Sequence, residues 1–323
     1  MKAVRIHAPG GPEALTYDDV PEPTPGQGQA VVRLGACGVN YIDVYFRTGQ
    51  YKAPMPLTIG LEGAGTVTAV GPGVADVSVG DRVAWTGVPA SYAQVIAAPA
   101  DRLVKLPDGL SFKDGAAAML QGMTAHYLAV STYPLKKGDV CVVHAAAGGV
   151  GLLLCQIAKM RGATVIGTVS TDEKAALAKQ AGADHTILYT KTDFEPEVKR
   201  LTGGLGAHVI YDGVAATTFD KGINSLRPRG LMALYGQSSG PVPPLDLQIL
   251  NARGSLFVTR PSLNHHIGSR EELLQRAGDV LGWIRDGKLK LRLEHQLPLA
   301  DAAEAHRALE GRRTTGKILL IPA

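Results

Sequence analysis

The spacing of apolar and polar positions changes near Leu120. Before it, apolar residues come in short β-branched runs broken by Gly and Pro: KAVRI (2–6), QAVVRLGACGV (29–39), GAGTVTAV (63–70), DRVAW (81–85), SYAQVIA (91–97) and DRLVKL (101–106). Runs of this kind predict a mostly antiparallel β domain, read as a compact barrel. From about Gly122 the pattern alternates between continuous apolar runs and helical periods. VCVVHA (140–145) reads as a strand and GVGLLLCQIAKM (149–160) as a helix; ATVIGTV, TDEKAALAKQA and HTILY follow as strand, capped helix and strand. EPEVKRLT, HVIYD, TTFDKGINSL, GLMALYG and SLFV continue the alternation. Apolar strands alternating with helices predict a parallel sheet covered on both faces. After about Ser262 come a long amphipathic helix, REELLQRAGDVLGWIRDG, and a last strand, GKILLIP.

A chain of 323 residues exceeds one ordinary domain, and 45% apolar with 19% charged residues describes a protein able to bury a large core. The net charge of +4 is spread along the chain without a basic run, which suits a small anionic ligand and makes a nucleic-acid partner an unfavoured reading. Three cysteines, Cys37, Cys141 and Cys155, form no CxxC pair, so free thiols in the cytoplasm are expected. The N-terminus has no apolar signal core, and the uncharged stretch 140–158 is interrupted by Gly and Ala, so no membrane span is expected.

The stretch VHAAAGGVGLLLC (143–155) lies where a strand gives way to a helix, the context in which a glycine turn cradles a dinucleotide pyrophosphate. It reads AxGxxG, with Ala146, Gly148 and Gly151. Gly148 and Gly149 let the backbone approach a phosphate at the helix N-terminus, and Gly151 lets helix and strand pack closely. Close packing without a ligand is the alternative. The next strand ends in Gly167, Thr168, Val169, Ser170 and Thr171, where an NAD site carries an acid about 20 residues past the glycines. Hydroxyls there, with Lys174 one turn on, favour the 2′-phosphate of NADPH. Against this, Ser170 or Thr171 is an N-cap candidate and Asp172 is near enough to be the acid. GQSSG (236–240) matches GxSxG, but Pro241, Pro243 and Pro244 forbid the helix a serine nucleophile needs. The nine histidines show no HExxH, and His265 and His266 are adjacent, so no metal site is expected.

The ordered set CGVNYIDVYFRTGQY, GLEGAGTV, VGDRVAW, HAAAGGVG, GTVSTDEKA, AGAD, GQSSG and VTRPSL resembles the medium-chain dehydrogenase/reductase superfamily. It is most similar to its zinc-independent, zeta-crystallin-like quinone oxidoreductases. The resemblance spans nearly the whole chain. It implies an α/β protein: a GroES-like β-barrel catalytic domain (1–122 and 263–323) plus a doubly wound parallel-sheet Rossmann domain (123–262), with NADPH in the cleft. The zinc ligands Cys and His of zinc-dependent relatives align with Asn40 and Leu61, neither of which is a good zinc ligand.

The resemblance also implies the site. Asn40, Asp43, Tyr45 and Tyr51 line the cleft; Asn40, Tyr45 and Tyr51 are the catalytic candidates, with Asn40 and Tyr51 as donors to a carbonyl or to the nicotinamide ribose. Packing is the alternative for the tyrosines. Thr124 and Tyr127 fall near the nicotinamide ribose, and Gly148, Gly149 and Val150 at the pyrophosphate. Ser170, Lys174, Tyr189 and Arg312 surround the 2′-phosphate, and Tyr235, Gly236, Gln237 and Ser238 run past the adenosine and nicotinamide. The expected activity is metal-free reduction of a quinone by NADPH, by one or two electrons. Reduction of α,β-unsaturated ketones or enoyl thioesters, a redox-sensing binder and an NADPH-sensitive RNA binder are the alternatives. The apolar edge SLFVT predicts a homodimer.

Overall fold

One strand of eleven residues, β3 (Gln29–Val39), organises the first of two units into which residues 1–323 of the computed structural model divide. This unit comprises Met1–Met123 and Ile267–Ala323. Along one edge β3 pairs antiparallel with β5 (Glu62–Val70); its other edge is shared, β7 (Val95–Pro99) taking the first half and the late strand β16 (Ile318–Ile321) the second. The sheet continues from β5 to β6 (Arg82–Thr86) and β8 (Val104–Lys105), and β15 (His295–Pro298) lies parallel to β16 at the far side. A separate three-stranded sheet holds β1 (Lys2–Ile6) between β2 (Thr16–Asp19) and β4 (Leu57–Thr58). The expected antiparallel character is present. The expected barrel is corrected: the path of strands ends at β8 on one side and β15 on the other and does not close.

Inward positions of both sheets form one core, including Val4, Val32, Val67, Trp85 and Leu320, joined by Tyr92 from the segment before β7. Helices α1 (Tyr41–Arg47), α9 (Arg270–Arg285) and α10 (Ala302–Glu310) belong to this unit. A sixteen-residue helix, α2 (Phe112–Tyr127), stands where the strand-like texture gave no sign of one. The signal is SFKD: Ser111 N–H and Oγ donate to Asp114 (2.8 and 2.7 Å), a cap that closes the first turn.

The second unit, Thr124–His266, is a six-stranded, wholly parallel sheet. Its strands are β9 (Val140–Val143), β10 (Thr164–Val169), β11 (His185–Leu188), β12 (Ala207–Asp212), β13 (Leu226–Leu234) and β14 (Phe257–Thr259), in the spatial order β11-β10-β9-β12-β13-β14. Helices α3 (Gly149–Met160), α4 (Asp172–Gln180), α5 (Phe194–Leu201), α6 (Phe219–Ser225), α7 (Gln248–Ala252) and α8 (Leu263–His266) follow the strands. The order reverses between β9 and β12, which opens a crevice at their carboxyl ends, the place where such sheets bind ligands.

Close packing of α3 on the sheet depends on small residues. A Cβ at Gly151 would lie only 2.3 Å from the Ala145 carbonyl oxygen, and one at Gly167 2.8 Å from the Ala146 methyl. Gly278, inside α9, meets nothing within 4 Å. Gly151→Ala should therefore lower stability by about 1–3 kcal/mol, while Gly278→Ala raises it by about 0.5–1 kcal/mol; urea unfolding of both variants checks the contrast.

Candidate active site

In the second unit, the features expected of a coenzyme site converge on the carboxyl edge of the sheet. The turn after β9 leads to Gly148, the N-cap of α3, which has no side-chain cap, so no side chain of the turn covers the first-turn N–H groups beginning with Gly149 and Val150. The turn is pinned from beneath: Ala146 N–H donates to the Thr168 carbonyl (3.1 Å), and buried His144 Nδ1 lies 2.9 Å from Thr168 Oγ1. Burial holds His144 below the usual histidine range, opposed by the charge of Asp212, and its ring meets Phe194 edge-on. Across the crevice, Asp212 Oδ1 accepts from Val214 and Ala215 N–H (2.7 and 3.1 Å) and Oδ2 from Thr218 Oγ1 (2.7 Å). Tyr235 N–H donates to the Asp212 carbonyl (2.9 Å) and Ser238 N–H to that of Gly213 (3.1 Å). Gly236 approaches Gly213 so closely that a Cβ would lie 2.7 Å from its oxygen. The loop 235–238 is thus tied to the end of β12, and no helix follows GQSSG until α7.

At the tip of β10, Thr171 caps α4, its hydroxyl accepting from Lys174 N–H (3.3 Å). Asp172 sits in the first helical turn and pairs with Lys191 (2.9 Å), so no carboxylate occupies the strand tip itself. Ser170 and Tyr189 lie on the neighbouring ends of β10 and β11; Tyr189 N–H bonds the Val169 carbonyl (3.1 Å), and its ring is exposed. Thr124 is buried near the end of α2, and Tyr127 stacks face to face on His266 at 4.2 Å.

The first unit gathers Asn40, Asp43, Tyr45 and Tyr51 at the end of β3. Asp43 Oδ2 accepts from Asn40 N–H (2.9 Å), closing the first turn of α1. Tyr45 is buried; its ring lies 5.3 Å from that of Tyr51, whose N–H donates to the Tyr45 carbonyl (2.9 Å). Tyr41 and Phe46 extend the aromatic group, at 5.7 Å from Tyr45 and 5.6 Å from Tyr51. The Asn40 amide is engaged within the unit. Its two amide hydrogens go to the Gly38 carbonyl (3.2 Å) and to Glu62 Oε2 (2.8 Å), leaving none for a substrate carbonyl. Arg312 sits in a left-handed turn just past α10.

Sequence reasoning missed the polar chain behind this cluster. Arg47 pairs with Glu310 (2.7 Å), and its guanidinium lies 3.2 Å from His306 Nδ1. His306 Nε2 is 3.3 Å from the Tyr92 hydroxyl, which donates to Asp43 Oδ2 (2.9 Å). Because Arg47 can only donate, His306 accepts at Nδ1 and carries its hydrogen on Nε2. Burial, then the Arg47 charge, pull His306 down to about 3. Burial pushes Asp43 up to about 7, against the hydrogen bonds from Asn40 and Tyr92 and the charge of Lys317. These partners come from distant segments, and no local spacing announces them.

A model described as zinc-binding dehydrogenase matches residues 149–278, and one described as alcohol dehydrogenase GroES-like domain matches residues 26–108. A quinone oxidoreductase of Pseudomonas aeruginosa is 44% identical over 99% of both chains, and a 2-haloacrylate reductase of Burkholderia is 42% identical over 100% of this chain and 99% of that protein. Among solved structures, the Escherichia coli quinone oxidoreductase complexed with NADPH superposes with a TM-score of 0.98 at 41% identity, and a mycobacterial protein complexed with NADPH with 0.97 at 48%, each covering both chains completely. The chain belongs to the quinone oxidoreductases of the medium-chain dehydrogenase/reductase superfamily. Zinc, implied by the name of the first model, does not fit the donors present: Leu61 offers no lone pair, Asn40 is fully engaged, and no group of three His, Cys, Asp or Glu side chains is gathered to hold a metal. No helix is long and apolar enough to cross a membrane.

The raised Asp43 carboxyl has a defined sign. Its folded-state proton affinity exceeds the unfolded one, so it contributes stability that is complete below about pH 3.8 and is lost as pH rises through about 7. Asp43→Asn keeps both acceptor bonds and cannot titrate. Between pH 5 and 7 wild type should lose stability relative to this variant by roughly 1.4 kcal/mol per pH unit at most, measured by urea unfolding at each pH.

Proposed function

We propose that the chain is an NADPH-dependent quinone reductase that works without a metal. The carrying observation is the second unit's coenzyme edge: an uncapped α3 N-terminus after a glycine turn, and a β10 tip with Ser170, Thr171 and Lys174 in place of a carboxylate. Both relatives with bound NADPH match over their whole length. Gly148, Gly149 and Val150 would hold the pyrophosphate. Ser170, Lys174 and Tyr189 would hold the 2′-phosphate, and Arg312 is assigned to the same group by resemblance alone. Thr124, Tyr127, Tyr235, Gly236, Gln237 and Ser238 complete the coenzyme set, and Asn40 and Asp43 are assigned to it by resemblance. The bound coenzyme would supply the reducing equivalents, and a quinone is electrophilic enough to take them without a Lewis acid. Tyr45 and Tyr51 are the residues assigned to the acceptor: the aromatic group offers planar faces, and the Tyr51 hydroxyl is the candidate donor to its oxygen. Asn40 acts by holding α1.

The chain's three cysteines are free and buried, which suits a reducing compartment, and the cytoplasm is the proposed location. The proposed assembly is a homodimer through β14. That strand has one neighbour, β13, and presents Phe257 and Val258 to solvent, so a second copy can extend the sheet.

Anaerobic stopped-flow with NADPH and 1,4-benzoquinone should show rapid coenzyme oxidation, with 2-chloroacrylate as the comparison acceptor. Faster turnover of the alkene would replace quinone reduction with alkene reduction. Lys174→Ala should raise KM for NADPH about tenfold and leave that for NADH nearly unchanged; equal losses would remove the 2′-phosphate assignment. Val258→Lys should give a monomer by light scattering.

A further inference from the structure

At the end of β3 the fold buries an ammonium with an amide and a carboxylate. Asn40, Glu62 and Lys317 are 3%, 0% and 2% exposed. Strand register brings them together. Ile318 of β16 pairs antiparallel with Val39, which sets Lys317 opposite Asn40, and Glu62 opens β5 beside the same stretch of β3. Such a cation persists only where its hydrogens and its charge are answered. Lys317 Nζ donates to Asn40 Oδ1 (2.8 Å) and to Glu62 Oε2 (2.5 Å). Glu62 Oε1 accepts in turn from Leu120 N–H (2.6 Å).

The arrangement fixes the Asn40 amide in one orientation. Flipped, its oxygen would face the Glu62 carboxylate and the Gly38 carbonyl, and its hydrogens would face an ammonium. Asn40 is also the residue from which α1 departs, and its N–H holds Asp43. A shift of the amide therefore passes to α1, to Tyr45 on it, and to Tyr51 through the Tyr45 carbonyl.

We propose that Lys317 is a positioning residue for the reaction: its ammonium locks Asn40 and balances Glu62, and so sets the placement of α1 and its tyrosines. This role rests on the quinone-reductase reading. Charge supports it. Two buried carboxylates, Asp43 and Glu62, face a single ammonium, and Asp43 Oδ1 has no partner within the protein. The groups bearing on Asp43 are Tyr92 before β7, Lys317 before β16, Glu62 on β5 and Cys37 on β3, with His306 of α10 behind Tyr92 and Arg47 behind His306. Burial draws the Lys317 ammonium down while Glu62 holds it up.

The test is a double-mutant cycle. Lys317→Met should lower kcat/KM for 1,4-benzoquinone about tenfold, with NADPH affinity by fluorescence titration unchanged. Glu62→Gln should lower it in wild type but raise it in the Lys317→Met background, because a neutral amide needs no counter-ion. A lysine that only fills space would give no such reversal, and losses by Glu62→Gln in both backgrounds would overturn the proposal. The pH profile supplies a second reading. The limb that vanishes in Asp43→Asn should move to higher pH in Lys317→Met, to lower pH in Glu62→Gln, and back in the double variant; an unmoved limb would also overturn it. If Lys317→Met does not fold, the downward shift in Glu62→Gln alone decides. If wild type fails to oxidise NADPH with the quinone, the functional reading falls by itself. The same cycle, read as urea stability against pH, then still tests whether Lys317 balances the two carboxylates.

Discussion

Antiparallel pairing of β16 with the last residues of β3 is the constraint on which the first unit's polar interior depends. It carries a lysine from residue 317 to within hydrogen-bonding distance of residues 40 and 62. Without that strand, Glu62 would lie buried with one backbone N–H, that of Leu120, and the Asn40 amide as its partners. A buried carboxylate in that position is costly, several kcal/mol in effect. The same segment brings α10, whose His306 and Glu310 hold Arg47 and, through Tyr92, Asp43. Apart from the local bonds of Asn40 to Asp43 and Gly38, the polar contacts just named beneath α1 are therefore long-range.

That explains what was legible in the sequence. The parallel sheet was, because most of its strands carry a continuous apolar run and its longer helices have local start and stop signals, Thr171 capping α4 and Gly148 opening α3 among them. By contrast, β13 carries Arg227 and Arg229 near its start, and the short α7 and α8 gave no signal. The strands of the first half were also legible, several to within a residue or two, since β3 was delimited at 29–39 by its apolar run. Closure of those strands into a barrel was not. Whether a sheet closes depends on which edges meet, and β3 divides one edge between β7 and β16, a division no alternation pattern records. Helix α2 was overlooked because alanine and glycine give it little amphipathic contrast, although its cap residues Ser111 and Asp114 stood in plain view.

The candidate site divides along the same line. The glycine turn and the hydroxyl-bearing tip of β10 could be found from local spacing. Asn40 could be found as a position, but its residue type suggests a free amide, and only its partners show otherwise: its hydrogens go to residues 38 and 62 and its oxygen accepts from Lys317. His144 and Asp212, beneath the turn, belong to different strands and become neighbours only through sheet order.

Because the second unit is one unbroken segment, 124–266, while the first closes with residues from the far end of the chain, synthesis imposes an order on them. A ribosome that has released residue 266 has delivered every strand of the parallel sheet, whereas β3 still waits with half an edge bare and Glu62 without its cation. Domains tend to fold as units while they emerge. The nascent protein thus passes through an interval in which one unit is complete and the other exposes an unpaired strand, and that interval lasts until residues 317–321 are made.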